Sequence, residues 1–119
     1  MAVITPTITE IKTRGDRGHL ITWGTLGAGD EGSPISMIGS TIRTAQIIGT
    51  FGAGSRVAIE GSNDGVTYAT LTDSHGNALS FAGSGISTVS ELTLYIRPRV
   101  TAGSPSASVK LLMRKTEER

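Results

Sequence analysis

The sequence predicts an all-β protein, an antiparallel β-sandwich of about eight strands with little or no helix. Three observations predict it. The 119 residues include 16 glycines, 4 prolines, 16 threonines and 13 serines, a mixture of turn formers and β-branched residues in place of the Ala, Leu, Glu and Lys that long helices want. Turn-forming clusters recur roughly every 8 to 12 residues. Between them, short runs alternate apolar and polar side chains, the period-2 mark of a half-buried strand.

The elements follow in order. Thr7 to Thr13 is dense in β-branched residues and reads as a strand closed by a turn at Arg14-Gly15-Asp16. His19 to Leu26 is the second strand, stopped by Gly27-Ala28-Gly29-Asp30, where glycine permits positive φ. Residues 27 to 40 hold Pro34 and no stable period, so they read as a long loop with an extended segment around Ile35 to Ile38. Thr41 to Phe51 is a strand whose ending, Gly49-Thr50-Phe51-Gly52-Ala53-Gly54, echoes Gly24-Thr25-Leu26-Gly27-Ala28-Gly29. A solenoid needs about three repeats to bury a continuous core, so two copies mean two strands reusing one turn chemistry.

Arg56 to Glu60 places Val57 and Ile59 on one face, and Gly61-Ser62-Asn63-Asp64-Gly65 turns it into a hairpin whose return strand is Val66 to Thr72. The return strand changes parity between Tyr68 and Ala69, which suits a bulge or a change of partner. Asp73-Ser74-His75-Gly76-Asn77 is the next turn, leading to short strands at Ala78 to Ala82 and Ile86 to Ser90. Glu91 to Val100 carries the strongest strand signal, with Leu92, Leu94 and Ile96 on one parity; Pro98 has no N–H, so the strand should end or lie at an edge near it. After a turn at 101–105, Ala107 to Met113 alternates Val109, Leu111 and Met113 with Lys110, Leu112 and Arg114. The domain division is an extended arm at 1–6, a sandwich at 7–114 and a charged tail at 115–119, expected to fray.

Composition narrows the functions. A net charge of +1 and a pI near 8.2 give no strong positive field, so no nucleic-acid partner is expected. The absence of cysteine removes disulfides, thiolate metal sites and thiol nucleophiles. No run approaches the ~20 apolar residues of a membrane span, and the first residues carry no export signal, so no membrane partner is expected.

Residue types that could do chemistry are present but poorly spaced. Asp73, Ser74 and His75 hold the types of a hydrolytic triad, yet a triad converges from separate elements, and these are neighbours in a turn. His19 shows no metal-ligand spacing with the other histidine. Asp30 and Glu31 are adjacent loop carboxylates, which seldom face one another across a glycosidic bond. Asn63-Asp64-Gly65 lacks the alternating acids and distal glutamate of a calcium loop. Gly52-Ala53-Gly54 and Gly83-Ser84-Gly85 lack the lysine and the strand-to-helix context of a phosphate loop. No catalytic residue, cofactor or metal is therefore expected.

What remains is binding. The apolar segment holding Val3, Ile4 and Pro6 suits strand addition on a neighbour. Arg97, Arg99, Lys110, Arg114 and Lys115 bias the last third toward basic; if the last two strands pair, several share a face, which reads either as simply solvated or as a binding site for an acidic protein surface, with Arg97, Arg99, Lys110 and Arg114 as the binding candidates. Trp23, the sole tryptophan, is expected in the core, with a sugar-stacking or interface role as the alternative.

Residues 49 to 72, the stretch Asp73-Ser74-His75-Gly76-Asn77-Ala78-Leu79, and Tyr95-Ile96-Arg97-Pro98-Arg99-Val100-Thr101-Ala102-Gly103 together resemble small virion proteins of tailed bacteriophages. The likeness covers about half the chain, mostly its second half. It implies a capsid cement, or decoration, protein of jelly-roll type. Such a protein is a non-catalytic module made in the host cytoplasm, which sits on the virion surface between major capsid protein subunits, often as a homotrimer. Two alternatives accompany it. A tail, adaptor or head-fibre-base component would use the same interface physics. Gly-Ser-Asn-Asp-Gly followed by Tyr68 and Leu71 is also similar to discoidin-like carbohydrate-binding sandwiches, for which Trp23, Tyr68 and Tyr95 are the candidate sugar platforms.

Overall fold

A computed structural model describes residues 2–13, 16–36 and 42–114. Along them run β1 (Val3–Ile4), β2 (Thr7–Thr13), β3 (Asp16–Leu26), β4 (Glu31–Gly32), β5 (Ile35–Ser36), β6 (Ile42–Thr50), β7 (Arg56–Ser62), β8 (Ala69–Thr70), β9 (Ser80–Phe81), β10 (Gly85–Thr88), β11 (Tyr95–Ala102) and β12 (Ser106–Arg114). No helix occurs among the described residues. The five-stranded sheet has the order β10-β6-β12-β3-β2; the seven-stranded sheet follows β1-β4-β11-β7-β8, with β5 also pairing β11 and β9 also pairing β7. The protein is an all-β sandwich, as the sequence predicts; five of its strands are two-residue pieces.

Alternation builds the core. Ile21, Trp23, Ala45, Ile47, Val109, Leu111 and Met113 face inward from the five-stranded sheet, against Ile35, Val57, Ile59, Ile96 and Val100 from the other. Trp23 is 1% exposed and its Nε1 donates to the Ser33 carbonyl at 2.9 Å. This is the core role, and the buried indole N–H has the partner it needs. Gly32 lets the chain pass under the ring: a Cβ there would lie 2.5 Å from Trp23 Nε1 and 2.6 Å from Pro98 Cδ.

Three connections cross between the sheets at one end. β3 runs into β4 and β6 into β7 on either side, and β11 runs into β12 between them. The echoed glycine motifs are the first two crossings. Asp30 N donates to Gly27 O and Ser55 N to Gly52 O, both at 3.1 Å, while Gly29 and Gly54 take φ of +72° and +74°. Positive φ at the third position is the type II turn that glycine favours.

Several expectations are corrected. Pro98 lies inside β11, buried and opposite Ile59 of β7. It is tolerated because its nitrogen has the same parity as that of Val100, which donates to Asp30 O on the β4 side. On that side β5 pairs residues 95 and 96 and β4 pairs 99, so the missing donor falls in the gap between two short strands. Leu92 and Leu94 are 52% and 38% exposed and precede β11. The chain there is passing from one sheet to the other, held by Glu91, whose carboxylate accepts from Thr72 N and Thr72 Oγ1, and by Leu94 N donating to Asn63 Oδ1. The return strand shrinks to β8, because Asp64 Oδ1 accepts from Val66 N and Thr67 N and keeps both in the loop.

The segment at 1–6 does add as a strand, but on its own sheet. Val3 and Ile4 pair in parallel with Glu31 and Gly32, Ala2 N donates to Asp30 Oδ1, and Ile4 packs on the core. β11 and β12 do not pair; they lie in opposite sheets. The turn residues Arg14 and Gly15, the extended positions Met37 and Ile38, and the tail at 115–119 lie outside the described residues.

Candidate binding faces

Each sheet turns one face to the core and one outward, and the two outward faces differ in chemistry. On the seven-stranded sheet, Glu60 of β7 stands opposite Arg97 of β11, with Arg99 two residues along and Glu31 on β4 opposite Arg99. Glu60 accepts from Arg97 Nε at 3.1 Å and Arg99 Nε at 2.9 Å, and Arg97 Nη1 reaches Glu31 Oε2 at 3.3 Å. The Tyr68 ring covers Arg97, with the guanidinium carbon 3.8 Å from its centroid, a cation–π contact. Burial pushes the Tyr68 phenol up. This face is a closed network of two carboxylates and two guanidiniums.

Glu60 is the hub, its side chain only 6% exposed. Removing one partner of a fully buried ion pair costs about 3–5 kcal/mol, and the 42% exposure of Arg99 screens part of that. Glu60→Ala is expected to lower stability by about 2 kcal/mol. In urea denaturation, the Glu60→Ala/Arg99→Ala double variant should lose less than the two single losses combined; strict additivity would show the pairs to be without energetic weight.

The 62–68 loop that carries Tyr68 over this network is held by Asp64. Ser62 Oγ donates to Asp64 Oδ1 at 2.7 Å and accepts from Gly65 N at 2.9 Å, and Gly65, at φ +77°, passes beneath the Tyr95 ring. The N–H groups of Thr67 and Val66, aided by the Ser62 hydroxyl, pull the Asp64 carboxyl down to about 2. A carboxyl depressed in the folded state adds stability above its unfolded value near 4, and that contribution disappears as pH falls through about 2. Asp64→Asn should therefore reduce the loss of stability between pH 4 and pH 2, measured by urea denaturation at each pH; an unchanged pH profile would remove Asp64 from the account.

The outward face of the five-stranded sheet is open and unlike the first. Leu20 of β3 stands opposite Leu112 of β12, which stands opposite Thr44 of β6; Lys110 stands between Thr22 and Gln46. Ile42, Ile48 and Ile86 are exposed by 43%, 45% and 62%, and Arg114 lies opposite Ile42. No carboxylate stands in β6, β10 or β12 of this sheet.

The residues singled out in the sequence are thus dispersed. Arg97 and Arg99 belong to the closed network, Lys110 and Arg114 to the open face on the far side, and Val3 and Ile4 to an edge of the seven-stranded sheet, with Pro6 in the link from β1 to β2. Ile42, Ile48, Ile86 and Glu60 were missed, though parity could have found them: in β6 the alternation assigns Ala45 and Ile47 inward and Ile42, Thr44, Gln46 and Ile48 outward.

The acidic candidates for chemistry serve turns or ion pairs. Asp30 is held down by the N–H groups of Gly27 and Ala2, and Asp73 by those of Asn77 and His75; Glu31 is paired with Arg97. Among the described residues, no group of three or more His, Cys, Asp or Glu is placed to hold a metal ion. No family model, curated protein or solved structure matches the chain.

Proposed function

We propose that this protein is a structural virion component, a non-catalytic cement or decoration protein of jelly-roll type that binds major capsid protein subunits on the outside of a tailed-phage shell. The open outward face of the five-stranded sheet carries this reading: exposed isoleucines beside threonines form a broad, hydrogen-bonded surface suited to a protein partner. Five strands about 4.8 Å apart and some seven residues at about 3.4 Å each make a face of roughly 450–500 Å². That is below the ~800 Å² per partner of a standard interface, so one copy would bind weakly. Repetition on a symmetric lattice, as a homotrimer clasping three-fold positions, supplies the avidity that one face lacks. Binding the assembled lattice better than free subunits stabilises the shell by linkage and needs no bond-making step.

The carbohydrate-binding alternative is less well supported because the aromatic faces are used internally: Trp23 is buried, Tyr68 is covered by Arg97 and Tyr95 lies over Gly65. Co-sedimentation with empty shells of the major capsid protein encoded in the same genome tests the reading. Saturable binding to shells and none to free subunits is expected; no binding to shells would reject the cement role, and recovery on tails instead would move the protein to the tail or adaptor class.

A further inference from the structure

We propose that the outward face of the five-stranded sheet docks a protein surface that is both apolar and acidic, contributed by a protein other than a second copy of this chain. The inference rests on the binding role above and adds which face is used and what chemistry it meets.

Lys110 carries the argument. It stands on β12, the middle strand of the sheet, and among the described residues it makes no ion pair. Its row runs Ile86, Gln46, Lys110, Thr22 across four strands. A protein laid over the isoleucines and the Leu20–Leu112 pair must cover this ammonium as well. Covering a cation without an anion costs several kcal/mol, so the cover must present a carboxylate near its centre.

Among the described side chains, neither sheet face of this chain supplies such a surface. Two copies meeting through this face would bring lysine toward lysine, and no acid stands in β6, β10 or β12 to relieve the repulsion. The opposite face does have Glu31 and Glu60, but Arg97 and Arg99 already engage both. Charge complementarity therefore selects a different protein, with carboxylates set among apolar side chains.

Two probes test this. The first is an alternating Glu-Leu peptide titrated into the 15N-labelled full chain. Amide shifts are expected on β3, β6 and β12, the affinity should fall steeply on going to roughly 0.5 M salt, and Lys110→Glu should weaken it about tenfold or more. Val66→Glu, an exposed loop change away from this face, should leave it unaltered. Shifts centred on Arg97 and Arg99, no shifts, or indifference to Lys110→Glu would overturn the proposal.

The second probe is the empty shell. Retention of the wild-type chain with about tenfold weaker retention of Lys110→Glu supports both readings. Equal retention of wild type and Lys110→Glu sinks the docking face and leaves the cement role standing. A wild-type chain that ignores shells while the peptide maps to β12 sinks the cement role and leaves the face standing. Self-association abolished by Lys110→Glu would identify a second copy as the occupant and refute the inference. Matching thermal midpoints would confirm that Lys110→Glu is folded.

Discussion

Trp23→Ala is expected to lower the unfolding free energy by about 3–5 kcal/mol, the cost of emptying a large aromatic site that cannot fully collapse. The site leaves little room: a Cβ added at Gly32 would strike both the indole and Pro98 Cδ, and the indole N–H donates to Ser33 O. Small domains are stable by only about 5–15 kcal/mol, so the variant should lose a large share of its stability, and its thermal midpoint should fall by roughly 10–20 °C. Trp23→Phe, which keeps most of the ring but leaves the Ser33 carbonyl unpaired, should cost about 1–3 kcal/mol. Since Trp23 is the only tryptophan, unfolding of both variants should be followed by far-ultraviolet circular dichroism. A Trp23→Ala midpoint within a few degrees of wild type would mean that the indole is not the centre of the core.

Gly103→Ala is the second large effect. Gly103 turns β11 into β12 at φ +75°, and a Cβ there would stand 2.6 Å from Ser55 Cα. The left-handed conformation alone costs an alanine about 1–2 kcal/mol. The clash is with backbone of the neighbouring crossing, so relief requires two of the three crossings at that end to move apart, and the total should reach about 3 kcal/mol or more. Gly76 supplies the internal control: it takes φ +84° with nothing within 4 Å of an added Cβ. Gly76→Ala should show the conformational cost alone, about 1–2 kcal/mol. Equal losses for the two variants in urea denaturation would mean that the crossings are not closely stacked.

How far the sequence could be read depended on how local each signal was. The strands β2, β3, β6, β7 and β12 were legible because alternation and turn residues act within a few positions, and the Gly-Ala-Gly echo announced the same type II turn twice. The partition of strands between sheets was not legible. β11 and β12 are adjacent in sequence and joined by a short glycine turn, which reads as a hairpin; in the fold the turn packs Gly103 against Ser55 of the neighbouring crossing and leads into the other sheet. The absence of that pairing matters most for function, since a shared face for Arg97, Arg99, Lys110 and Arg114 was conditional on it. Leu92 and Leu94 misled for a related reason: their parity fits a strand, but hydrogen bonds from Thr72 to Glu91 and from Leu94 N to Asn63 hold the chain in its passage between sheets. Pro98 was misjudged because a broken neighbour, β4 and β5, can host a missing donor as well as an open edge does.

Of the candidate surface, the cations were visible from composition, but their distribution was not. Whether a basic residue is available depends on carboxylates brought beside it by distant strands, as Glu60 is brought to Arg97 and Arg99. Sequence distance conceals this, and the sheet register reveals it.

A cryo-electron microscopy reconstruction of particles carrying the chain, set against particles from which its coding sequence has been deleted, bears most directly on the proposed role. Density for a two-sheet body at symmetric positions on the shell, with the Leu20–Leu112 face toward the capsid subunits and missing from the deletion particles, is the predicted result. Identical shells from both preparations would contradict the proposed role, and a body attached through the Arg97–Glu60–Arg99 face would contradict the assignment of the docking face.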